Sequence, residues 1–123
     1  MPKTELESRL QRRCQQIIKE GGAFVFKTHG SIFTRAGMPD LVACVPTDIE
    51  TLQRMIDSEW FADTNGKVGI FVGLEIKRED HLSELSKAQE IIGREIREAG
   101  GIWFAIDDSD LVHGIMKTLG GKL

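Results

Sequence analysis

The run Val68-Gly69-Ile70-Phe71-Val72-Gly73-Leu74 is short, apolar and rich in β-branched residues, and it ends in Glu75-Ile76-Lys77. Such a run reads as an interior strand. Side chains alternate between faces along a strand, so Glu75 and Lys77 share one face while Leu74 and Ile76 enter the opposite layer. A carboxylate and an ammonium therefore stand side by side at a strand's end.

A second strand is expected to open at Asp40, before Leu41-Val42-Ala43-Cys44-Val45. Pro39 precedes it, and a proline at a strand's first residue breaks no ladder bond. If the two strands are neighbours, Asp40 and Glu75 converge. Two converging carboxylates repel unless a proton or a cation intervenes, and a hard divalent ion resolves the conflict. Mg²⁺ suits this set because it accepts few protein ligands and is completed by water and phosphate oxygens; Mn²⁺ takes the same oxygens with looser geometry. The Ile76 carbonyl, between the two side chains, can add a further hard ligand. Lys77 would orient or deprotonate an attacking water and balance the charge that builds on a phosphoryl group. The bland alternatives are a solvated ion pair for Glu75 and Lys77 and a post-proline turn residue for Asp40.

The remaining pattern alternates helices with strands. The expected order is a helix over 4–20, strands over 23–28 and 40–45, an inserted helix, a strand over 69–77, a helix over 86–99, a strand over 102–106 and a helix over 109–119. That order predicts an α/β protein, an α/β/α sandwich on a central four-stranded mixed sheet. Leu6, Leu10, Cys14, Ile17 and Ile18 recur at helical spacing in the first helix, and Gly21-Gly22 ends it. Ser86 can cap the helix after the Glu-x-Lys strand, with Ile91, Ile92 and Ile96 turned to the sheet. Within residues 46–66, Thr47-x-x-Glu50 reads as a capping box, and Ile49, Leu52, Ile56 and Trp60 fall on one face. This stripe is expected to pack on the core or to form a dimer contact.

With 123 residues, 41% of them hydrophobic, the chain is expected to form one domain over 1–123. Its hydrophobic runs are too short to span a bilayer, and the charged start lacks a signal peptide's apolar region. An intracellular, cytoplasmic protein with no membrane partner is the expectation. Cys14 and Cys44 have no Cys or His at zinc spacing and read as buried free thiols. The formal net charge is −3, but residues 1–36 carry seven basic groups against three acidic ones. Residues 46–66 are the reverse, with Asp48, Glu50, Asp57, Glu59 and Asp63 against Arg54 alone. The basic end carries Asp40's approach loop, so binding of a phosphate backbone should be salt-sensitive and should follow DNA shape rather than sequence.

Taken in order, Arg35-x-Gly37-x-Pro39-Asp40, Glu75-x-Lys77 and Ser86-x-x-Gln89 resemble the motifs of the virus-type replication-repair nuclease (VRR-NUC) domain, within the PD-(D/E)XK nuclease superfamily. The resemblance spans nearly the whole chain, from the helix bearing Glu7 to Gly100-Gly101 and the strand Ile102 to Asp107. It implies a restriction-endonuclease-like αβββαβ core with the 46–66 segment as an insertion. It implies Asp40 and Glu75 as metal ligands, Lys77 as the catalytic lysine, Gln89 as support from the following helix and Glu7 in the metal shell. The implied activity is a Mg²⁺- or Mn²⁺-dependent endonuclease on branched or structured DNA, of Holliday-junction, flap or nicking type, leaving 5′-phosphate and 3′-hydroxyl ends. Phage or mobile-element replication and repair would be its setting, in the host cytoplasm if phage-encoded. A homodimer with paired sites would suit a four-way junction.

Several residues keep two readings. Glu7 also fits a capping box with Thr4, and Gln89 one with Ser86. Arg35 either clamps a phosphate bidentately or is solvated; Lys27 and His29 flank the same loop as candidate DNA contacts. Two other classes of function compete, a catalytically silent DNA-binding module that kept the fold, and a protein-interaction subunit using the Trp60 helix.

Overall fold

The computed structural model describes residues 5–28 and 36–121, with side chains from Glu7 onward. Helix α1 (Glu5–Glu20) leads to strands β1 (Phe24–Lys27) and β2 (Leu41–Cys44), then helix α2 (Ile49–Met55). Strand β3 (Val72–Ile76), helix α3 (Lys87–Glu98), strand β4 (Ile102–Ile106) and helix α4 (Ser109–Thr118) follow. Single 3₁₀ turns stand at Glu59–Phe61 and Leu82–Glu84. The protein is thus mixed α/β. Its contacts divide it into two compact units, Met1–Gly69 with Glu98–Gly100, and Ile70–Arg97 with Gly101–Leu123.

In the first unit, α1 packs on β1 and β2, which pair antiparallel with Phe24 opposite Cys44 and Lys27 opposite Leu41. The helix ends where the glycines foretell. Gly22 takes φ +86°, its N–H donates to the Lys19 carbonyl and the Ala23 N–H to that of Ile18, a Schellman closure that needs a left-handed residue. The buried face of α1, however, is turned from the expected one. Leu10 and Ile17 are exposed, while Gln11 is buried and Cys14 and Ile18 are half-buried. Both cysteines are free, and burial raises the pKa of Cys44, whose thiol lies 3.5 Å from the Ala99 carbonyl.

Helix α2 forms as expected with its cap one residue later. Asp48, not Thr47, is the N-cap, and its carboxylate accepts from the Thr51 N–H at 2.8 Å. Asp is a strong capping residue, and Thr47 instead donates to the Val45 carbonyl. Of the apolar stripe, Leu52 and Ile56 are half-buried while Ile49 and Trp60 are 74% and 80% exposed.

In the second unit, β3 and β4 pair parallel, Val72 with Ile102 through Ile76 with Ile106, and α3 supplies the crossover. Gly73 and Gly93 let that helix lie close. A Cβ on Gly93 would come within 2.7 Å of the Trp103 indole, and one on Gly73 within 3.1 Å of Ile96. The Arg97 guanidinium covers the same indole at 5.4 Å and donates to the Trp103 carbonyl at 2.8 Å. The helix face toward the sheet is therefore centred on Gly93 and Ile96, with Ile91 and Ile92 about two-fifths exposed. Helix α4 packs on β4.

The four-stranded sheet expected from the sequence is not seen among the described residues. The strands instead pair two and two, β1 with β2 and β3 with β4. Each pair is closed by its own connection, a loop for the antiparallel pair and α3 for the parallel one, and no ladder joins them. Among the described residues, no helix is long and apolar enough to cross a membrane.

Candidate active site

Glu75 and Lys77 stand where strand alternation puts them, on the β3 face shared with Gly73, the face that α3 approaches. Both are drawn partly out of solvent, with side chains 30% and 18% exposed. The Lys77 ammonium lies 4.0 Å from Glu75 Oε1, the outer limit of an ion pair. The Lys77 N–H donates to the Ile106 carbonyl at 2.9 Å, which fixes the lysine's backbone one residue past the strand.

Gln89 supplies the tighter contact, and it does so while performing a second job. Its N–H lies 3.1 Å from Ser86 Oγ and its Oε1 accepts from the Ser86 N–H at 2.9 Å, which completes a capping box at the start of α3. Its Nε2 donates to Glu75 Oε1 at 2.6 Å. The oxygen serves the helix and the nitrogen serves the strand. With the oxygen committed to the box, the amide can only present its donor to Glu75, so the cap sets the polarity of the contact. Both contacts to Glu75 fall on Oε1; Oε2 makes none with a described residue. An ionised carboxylate with one oxygen open and the other restrained is suited to a hard cation. Ile76, the last residue of β3, contributes its carbonyl at the same strand end.

Asp40, Glu7 and Lys27 belong to the first unit. Asp40 is exposed and immediately precedes β2, and its backbone is held by Thr28, whose N–H donates to the Asp40 carbonyl at 3.0 Å and whose hydroxyl donates to the Pro39 carbonyl at 2.6 Å. Pro39 costs the ladder nothing there, as expected. Glu7 is exposed in the early part of α1, and Lys27 is exposed at the end of β1. Arg35, His29 and Thr4 lie outside the described residues.

Within the second unit the structure brings Glu75, Lys77 and Gln89 together. Among the described residues, no three His, Cys, Asp or Glu side chains gather as a metal-holding group. Two features escaped the sequence reading. One is the buried amide of Gln11, which has no hydrogen-bond partner among the described residues. The other is a polar hollow lined by Glu79, Asp80, Asp107, Asp108 and Ser109, where the Asp80 N–H donates to Asp107 at 3.3 Å. An isolated Gln on a helix and carboxylates in a loop carry no spacing signal that would have marked either.

No protein-family model, no curated protein and no solved structure matches the chain.

Proposed function

We propose that the chain is a Mg²⁺- or Mn²⁺-dependent endodeoxyribonuclease that hydrolyses phosphodiester bonds in branched or structured DNA. The observation that carries this reading is the Glu75 carboxylate, restrained by Gln89 and flanked by Lys77 at the end of a strand, with one oxygen left open. A structural ion pair has no need of a third, directional partner.

In this reading Glu75, Asp40, Glu7 and the Ile76 carbonyl would hold the cation. Their oxygens are of the kind Mg²⁺ and Mn²⁺ accept. When bound, the cation supplies Lewis acidity and lowers the pKa of the attacking water. Gln89 keeps Glu75 in one rotamer. Lys77 orients the water or takes its proton, and balances charge on the phosphoryl oxygens, an interaction strengthened by the lysine's low exposure. Arg35, Lys27 and His29 are the proposed contacts to the DNA backbone. The same reading supposes a VRR-NUC-type α/β/α core with a four-stranded sheet, an intracellular setting, and a homodimer if the substrate is a four-way junction.

The test is incubation of the purified protein with four-way, flapped, nicked and linear duplex DNA in Mn²⁺, against the same reactions in EDTA. Cleavage confined to Mn²⁺ and to branched or flapped DNA is the expected result. The second reading, a catalytically silent DNA-binding module, is favoured by the lack of a three-carboxylate group among the described residues. Tight binding of branched DNA with no cleavage in either buffer would select it.

A further inference from the structure

Gln11 is 8% exposed, the one buried polar side chain among the described residues, and neither Nε2 nor Oε1 has a hydrogen-bond partner there. An amide removed from water with nothing offered in return costs free energy, and native proteins seldom leave both ends unmet. The surroundings do not explain it as a packing choice. It occupies the centre of the buried face of α1, where Leu or Met would serve the helix as well and the core better, while the neighbouring Leu10 is left exposed. Gln16 on the same helix shows the ordinary alternative, donating to Glu20 at 3.0 Å on the surface. Gln11 also lies one turn after Glu7, so the two share a face of the helix, with Glu7 at the solvent end.

We infer that Gln11 is a positioning residue for the proposed metal site, its Nε2 donating to the Glu7 carboxylate when the cation is bound. This rests on the nuclease reading of Glu7. The amide stores an unmet donor that is satisfied only in the loaded state, in the way that hydrogen-bonded partners orient ligating carboxylates generally. A bridging water satisfies Oε1.

The test is a calorimetric titration of Mn²⁺ into the full chain, with wild type, Gln11→Met, Glu7→Gln and the double variant. Gln11→Met is expected to bind Mn²⁺ about 10–100-fold more weakly, while its metal-free melting temperature holds or rises because the orphaned amide is gone. In the Glu7→Gln background the same substitution should change nothing further. Mn²⁺ affinity in Gln11→Met equal to wild type would overturn the inference, and so would a further loss in the Glu7→Gln background. Gln11→Leu replaces the Met variant if that one does not fold. Wild type that binds no Mn²⁺ removes the nuclease reading and this inference together. Wild type that binds and cleaves beside an unaffected Gln11→Met removes the inference alone.

Discussion

Gln89 shows how one side chain can be assigned to two jobs by its separate atoms. The sequence offers a cap and a site residue as rivals, because Ser-x-x-Gln spacing cannot say which amide atom is spent. The coordinates divide them, Oε1 to the Ser86 N–H and Nε2 to Glu75. Gln89→Glu should therefore separate the roles. Glutamate keeps the capping box, but it sets a second carboxylate against Glu75 and raises the pKa of the pair. A group with a raised folded-state pKa is destabilising once it ionises, so the metal-free melting temperature of this variant should fall below wild type at pH 8. Toward pH 4 it should recover, and a difference independent of pH would contradict the assignment. Gln89→Ala, which loses both contacts, is expected to lower the cleavage rate by about 10–100-fold and to melt lower at every pH. Gly93 is the second informative residue. Its replacement by alanine gains about 1 kcal/mol of helix propensity but drives a methyl into the Trp103 indole, where overpacking costs about 1–3 kcal/mol. A melting temperature a few degrees lower is expected, and an unchanged or raised one would mean that α3 is not held against Trp103.

Among the elements, the helices and strands were legible nearly to the residue, and the helix ends most of all. Gly21-Gly22 and Gly100-Gly101 mark C-termini because a left-handed residue is required there, and Gly22 and Gly100 supply it at φ +86° and +91°. The faces were less legible. Hydrophobic spacing directed attention to Leu10, Ile17, Ile91 and Ile92, whereas the buried centres are Gln11 on α1 and Gly93 with Ile96 on α3. Close approach favours a small residue and an unmet polar group follows no hydropathy rule, so neither centre announces itself. The cap of α2 moved from Thr47 to Asp48 because adjacent residues both had the chemistry and the backbone chose between them. That cap carries a pH prediction. The hydrogen bonds from Thr51 lower the pKa of Asp48 in the folded protein, so its stabilisation is present above the ordinary aspartate range and is lost as pH falls through the lowered value. Helical content of the insertion, read by NMR shifts of 49–55, should decrease over that interval in wild type. In Asp48→Asn, which caps without titrating, it should not.

At the scale of the molecule, the sequence conveyed an α/β chain and the membership of its strands, but not which strands pair. Alternation reveals the faces of a strand and is silent about its neighbours, so one four-stranded sheet and two two-stranded pairs read alike in Val72–Ile76 and Leu41–Cys44. The same limit divides the site. Glu75 and Lys77 were legible because period-two alternation within one strand fixes their common face, and the Gln89 contact because a capped helix follows. Asp40 was placed correctly just before β2, while its association with Glu75 depends on strand order. The exposed Ile49 and Trp60, set among the acidic residues of the insertion, leave that segment no affinity for a phosphate backbone, so DNA binding should be unaffected by neutralising Asp57 and Glu59. The central claim, that Glu75 and Lys77 form a cation-dependent phosphodiesterase centre, is tested most directly by kcat/KM for Mn²⁺-dependent cleavage of a four-way junction by wild type and Lys77→Ala, with DNA affinity measured in parallel. The account predicts a loss of about a hundredfold or more in cleavage at near-equal binding, and cleavage by Lys77→Ala at the wild-type rate would contradict it.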